Sequence, residues 1–119
     1  MKRILIVDRN DDVPRLMGIF IKFIYPEAEI MHTRNGELAL RVLEKSEDFD
    51  LLISGVKVST RIDGVELAAI VREKYPNIPI ILMSGGNEPE KHNADIFLAE
   101  PLEMAKFLKA IASVKKPAA

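Results

Sequence analysis

Few residues of this 119-residue chain combine a reactive type with a setting in which they could do chemistry. Asp8 and Arg9 follow the apolar run ILIV, Ser84 follows IILM, Glu100 follows IFLA, and Gly55 follows LLIS. A carboxylate at such a place can hold a hard cation or act as a nucleophile, and a glycine can do neither. Mg²⁺ sites usually take one or two carboxylates plus water and phosphate, so Asp8 by itself is a poor one. Ser54, Ser59, Thr60 and Asp63 surround Gly55 in the chain without an adjacent base or metal cluster. Strand alternation also turns Ser54 to the face opposite Gly55. His32 and His92 stand isolated and are expected to be surface or loop histidines. The absence of cysteine excludes a disulfide framework and a thiolate metal site. No metal centre is expected.

The elements that must position these residues alternate regularly. Residues 4–7, 28–31, 51–54, 80–83 and 96–99 are short apolar runs that predict strands. Between them, Val13, Leu16, Met17, Phe20 and Ile24 recur at helical spacing, with Asp11 or Asp12 as N-cap and Pro14 in the first turn. Leu38, Ala39, Val42 and Leu43 predict a second helix, and Val65, Leu67, Ala68, Ile70 and Val71 a third. Met104, Phe107, Leu108 and Ile111 predict the last. Residues 85–95, GGNEPEKHNAD, lack an apolar stripe, so one helical turn at most is expected there. This alternation implies a parallel sheet with helices on both faces. Ligands of such sheets bind beyond the carboxyl ends of the strands, where Asp8, Arg9, Gly55, Ser84 and Glu100 fall.

Composition narrows the function. Seventeen basic and eighteen acidic residues give a net charge of −1, too balanced for the basic footprint of a nucleic-acid binder. The first apolar run is too short for a signal peptide or a spanning helix, and no membrane contact is expected. A cytoplasmic protein with one domain over residues 1–114 and a tail or linker start at 115–119 is the expectation.

The segments KRILIVDRNDD, FDLLISGV…DGVEL, IPIILMSG and ADIFLAEP occur in this order over essentially the whole chain. Together they resemble the receiver domain of bacterial two-component response regulators. The resemblance implies a flavodoxin-like, doubly wound five-stranded parallel sheet of order 2-1-3-4-5, here with a shortened or missing fourth helix. It also implies a phosphorylation site. Receivers place paired carboxylates after the first strand and a phosphoacceptor aspartate at the end of the third, which together hold Mg²⁺. A hydroxyl ends the fourth strand, and a lysine before a cis-proline ends the fifth.

Measured against that pattern, Asp8 and Ser84 match, while Arg9, Gly55 and Glu100 depart. Pro101 holds the cis-proline position and Phe97 the switch-aromatic position. With glycine at 55 no aspartyl phosphate can form there, so the site reads as degenerate, with no catalytic residue and Mg²⁺ binding weak or absent. The chain is therefore expected to be a non-enzymatic module of phosphorelay signal transduction, a pseudo-receiver acting through protein contacts. Its expected partners are a histidine kinase, an output domain or another signalling protein, and a homodimer is a further candidate. The alternatives are a Mg²⁺-dependent phosphoryl acceptor using a non-standard residue, and a small-molecule-binding pseudo-receiver.

Four side-chain expectations follow. Relative to a receiver, Arg9 and Glu100 have exchanged charge sign, which predicts that Arg9 reaches Glu100 or Asp8 across the crevice. Phe97, without a phosphate to draw it inward, should be a packed aromatic. In the first helix Ile19, Phe20, Ile21, Phe23 and Ile24 widen the apolar arc beyond one docking face, and broad burial is expected, with an exposed edge as the alternative. Met17, Met31, Met83 and Met104 read as core filler.

Overall fold

Every strand is an apolar run of four or five residues, and every helix carries an apolar stripe that needs a partner. In the computed structural model, which describes residues 1–46, 48–58 and 61–114, these units alternate along the chain. The strands are β1 (Arg3–Val7), β2 (Glu29–Thr33), β3 (Leu51–Gly55), β4 (Ile80–Ser84) and β5 (Ile96–Ala99). The helices are α1 (Asp12–Ile24), α2 (Gly36–Lys45), α3 (Gly64–Lys74) and α4 (Met104–Val114). All strand pairs are parallel, in the order β2-β1-β3-β4-β5. This is the five-stranded flavodoxin-like sheet that the sequence predicts.

Strand alternation sends successive side chains to two cores. Leu5, Val7, Leu52 and Leu82 pack under α2 and α3 with Ala39, Leu43, Leu67 and Val71. Ile4, Ile6, Leu51, Ile53 and Ile81 pack under α1 and α4 with Met17, Ile21, Phe107 and Ile111. Each such side chain contributes about 1.5–3 kcal/mol by leaving water.

Between β4 and β5, residues 85–95 carry no helix. Polar bonds hold this segment instead of an apolar stripe. The Arg72 guanidinium donates to Asn93 O at 3.1 Å and to Asp95 Oδ2 at 2.6 Å. Asp95 Oδ2 also accepts from Ile80 N, which ties the segment to β4. His92 is a loop residue, as expected, but it is not isolated: its side chain is largely covered and meets Glu88 Oε2 at 2.8 Å.

Of the other expectations, one holds in part and two need correction. Asp11 is the N-cap of α1, but its side chain makes no capping bond. Its carboxylate is taken by Arg34 at 2.7 Å, and His32 stands 3.8 Å away. The apolar arc of α1 is not broadly buried, because Ile19 is 63% and Phe23 74% exposed. Only the stripe through Pro14, Met17 and Ile21 is covered, since α1 packs with one flank against α4, where Phe20 and Phe107 stand 6.1 Å apart. Met31 is not core filler: it is 40% exposed, because β2 is an edge strand. The predicted tail, residues 115–119, lies outside the described residues.

Candidate functional site

The carboxyl ends of β1, β3 and β4 open into a crevice of about 260 Å³. Asp8, Arg9, Gly55, Ser84 and Glu100 all line it, so the fold brings together the five residues that the sequence singles out. Parallel pairing in register explains why: Val7 lies opposite Ser54, and Gly55 opposite Met83.

Asp8 is held on three sides. Its N–H donates to Thr33 O at 3.0 Å, and its Oδ1 accepts from Asn10 N at 2.8 Å. Its carbonyl accepts from His32 Nε2 at 2.8 Å. His32 is therefore half-buried and engaged, contrary to the expectation of an isolated surface histidine. The other oxygen, Oδ2, faces Gly55: a Cβ built there would stand 3.7 Å from it. Ser84 Oγ turns back to accept from Gly86 N at 2.9 Å. Glu100 N donates to Ser84 O, and the Glu100–Pro101 peptide bond is cis. A Cβ built at Gly85 would lie 3.6 Å from Glu100 Oε2, which places that carboxylate along the same wall.

The expected contact of Arg9 does not form. Arg9 is exposed, and no ion pair joins it to Asp8 or Glu100. It follows the strand end, where fixing a long side chain costs rotamer entropy and a solvated ion pair returns little. Lys57, which sequence reasoning missed, also lines the crevice. Its only signal is its place two residues past the end of β3. With Lys57 included, two carboxylates face two cations.

The crevice lacks the carboxylates at positions 9 and 55 with which the family resemblance builds a Mg²⁺ site. Asp8 already accepts a backbone N–H with one oxygen, two cations share the crevice, and no group of three potential ligands occurs among the described residues. Two described neighbours of Gly55, Ser54 and Asp63, are engaged elsewhere. Ser54 is buried and donates to Gly55 O at 2.8 Å. Asp63 caps α3, accepting from Glu66 N at 2.8 Å while the Glu66 carboxylate accepts from Asp63 N. That capping box was legible in the D-x-x-E spacing. Ser59 and Thr60 lie outside the described residues.

Phe97 is half-buried on β5 opposite Leu82, with the His92 ring 6.4 Å away, and packs into the core under α2 and α3.

Residues 4–112 match the family described as response regulator receiver domain. The chain is 31% identical over 90 residues to the response regulator protein FleR of Pseudomonas aeruginosa, covering 71% of this chain and 19% of FleR. It is 25% identical over 121 residues to the CAI-1 autoinducer sensor kinase/phosphatase CqsS of Vibrio cholerae, covering 94% of this chain and 17% of CqsS. The chain thus spans under a fifth of either relative. Among solved structures, a putative response regulator from Chloroflexus aurantiacus superposes with a TM-score of 0.83 at 25% identity, covering 96% of this chain and 97% of that one. Among the described residues, no helix is long and apolar enough to cross a membrane.

Proposed function

This chain belongs to the response regulator receiver domain family, and from that membership we propose that it is a pseudo-receiver. In this reading it is a cytoplasmic, non-enzymatic module that works in two-component signalling by protein contact and carries no aspartyl phosphate. One observation carries it. The position at which the family resemblance places the phosphoacceptor is Gly55, at the end of β3 and directly facing Asp8 Oδ2. An acyl phosphate requires a carboxylate nucleophile, and positioned cations or a metal must meet the charge that develops. Glycine supplies no nucleophile, and the surrounding charges are already balanced.

A surface for contact remains. Leu16, Ile19 and Phe23 run along one flank of α1 at helical spacing and face water. A contiguous apolar stripe of that kind commonly marks a protein interface. The partners we propose are a histidine kinase, an output domain or another signalling protein. The relatives fit that range, since one is named a sensor kinase/phosphatase and the other a response regulator.

Titration with Mg²⁺ and beryllofluoride, a mimic of the aspartyl phosphate, followed by amide NMR, tests the reading. The amides of Asp8, Gly55 and Ser84 are expected to stay in place at millimolar concentrations. Saturable shifts confined to those residues would overturn it.

A further inference from the structure

We propose that the open edge of β2, with the basic groove between it and α2, docks an extended acidic segment of a partner protein that adds to the sheet as a further strand. β2 ends the strand order, and among the described residues no strand pairs with its outer side. Glu29 N donates to Lys2 O, and Thr33 O accepts from Asp8 N, so residues 29, 31 and 33 present their backbone to β1. The alternation of a parallel ladder then turns the N–H and C=O groups of Ile30 and His32 outward. Unpaired ladder groups of this kind are a template for another strand.

The side chains define what that strand should be. Met31 shares its face with Leu5 of the α2-side core, so it lies on the α2 side of the edge. There Met31 is 40% and Leu38 of α2 42% exposed, an apolar floor with no cover. Arg34, Arg41 and Lys45 line the groove beside them, and among the described residues no carboxylate does. Arg34 is engaged by Asp11, whereas Arg41 and Lys45 make no ion pair among the described residues. An added strand turns every second side chain to this face. Acidic residues there would meet Arg41 and Lys45, and apolar ones would cover Met31 and Leu38. A second copy of this chain is the poorer occupant, because edge-to-edge pairing would set the same cations against one another. The proposal does not depend on the reading of the crevice around Gly55.

The test uses a fluorescein-labelled peptide of repeating Glu-Thr-Val-Thr, whose glutamates and valines fall on one face of a strand, the same peptide with lysine for glutamate, and a DNA oligonucleotide of equal charge. Anisotropy at physiological salt should show binding of the glutamate peptide alone. Arg41→Glu/Lys45→Glu, a change at two exposed positions, should weaken that binding at least about tenfold. Bound peptide should also slow amide hydrogen exchange at Ile30 and His32. No binding, equal binding of the lysine peptide or DNA, or binding that leaves those two amides unchanged would overturn the proposal.

Discussion

Gly55 and Asp8 face each other so closely that a Cβ on Gly55 would stand 3.7 Å from Asp8 Oδ2. This pair decides what the crevice can do. A carboxylate at 55 would create a second anionic wall beside Asp8, whereas glycine leaves Asp8 without a carboxylate opposite it and with one oxygen already taken by Asn10 N. Gly55→Asp is therefore expected to create a divalent-cation requirement. Its Cβ must displace Val58 Cγ1, 3.3 Å away, by only a few tenths of an ångström. In thermal shift, millimolar Mg²⁺ should raise the midpoint of Gly55→Asp and leave the parent chain unchanged. Equal responses would mean that the lone Asp8 already binds the ion.

Gly64 is required for a different reason. A Cβ there would overlap the Gly55 carbonyl oxygen and come within 2.9 Å of Val56 Cα, and Gly64 N donates to Val56 O at 2.6 Å. Backbone occupies the space on that side, so nothing can yield cheaply. Gly64→Ala should destabilise the fold by about 1–3 kcal/mol, as overpacking does, a fall in Tm on the order of 5–10 °C. An unchanged Tm would show that α3 can move away from the end of β3.

The exposed flank of α1 should separate stability from partnership. Ile19→Ser/Phe23→Ser removes two side chains that make little burial, so stability should change by less than about 0.5 kcal/mol. Proteins retained by the parent chain from its own cell extract should be lost from this variant. Retention of the same set would move the contact surface elsewhere.

Asp50 gives a pH-dependent stability. Partial burial pushes its carboxyl pKa up, but the N–H groups of Arg3 and Lys2, the N-terminal charge and the Lys2 ammonium outweigh that and hold it below the usual value of 3.8. The bonds are 3.0 Å from Arg3 N and 2.7 Å from Lys2 N, and they anchor the start of β1. A depressed pKa stabilises the folded state above pH 3.8 and stops doing so as pH falls through the lower folded value. Asp50→Ala should cost about 1 kcal/mol at pH 7, toward the low end for charged hydrogen bonds because water screens the site. In urea titrations the difference between the two proteins should shrink below pH 3.8. A difference that persists in acid would assign the effect to packing.

Much of this structure was legible in the residues. The five strands, the order of the sheet and the helix-free segment after Ser84 follow from apolar runs, the receiver resemblance and the lack of a stripe to bury. The cis peptide bond before Pro101 and the convergence of Asp8, Gly55, Ser84 and Glu100 follow from the same resemblance. What was not legible depends on which neighbour a side chain finds. Asp11 reads as a helix cap and instead meets Arg34, a residue 23 positions away. Met31 and the pair Ile19 and Phe23 read as core, because apolar type does not tell an edge strand or an uncovered helix flank from an interior one. Arg9 reads as half of an ion pair, yet at a solvated strand end a long cation gains little from any one partner.

The central claim is that this receiver carries no aspartyl phosphate, and intact-mass measurement after incubation with acetyl phosphate and Mg²⁺ tests it most directly. The mass of the parent chain should remain unchanged under conditions that phosphorylate a receiver with an intact site. A phosphoryl adduct that hydroxylamine removes would contradict the account, because that lability identifies an acyl phosphate formed on some other carboxylate of this chain.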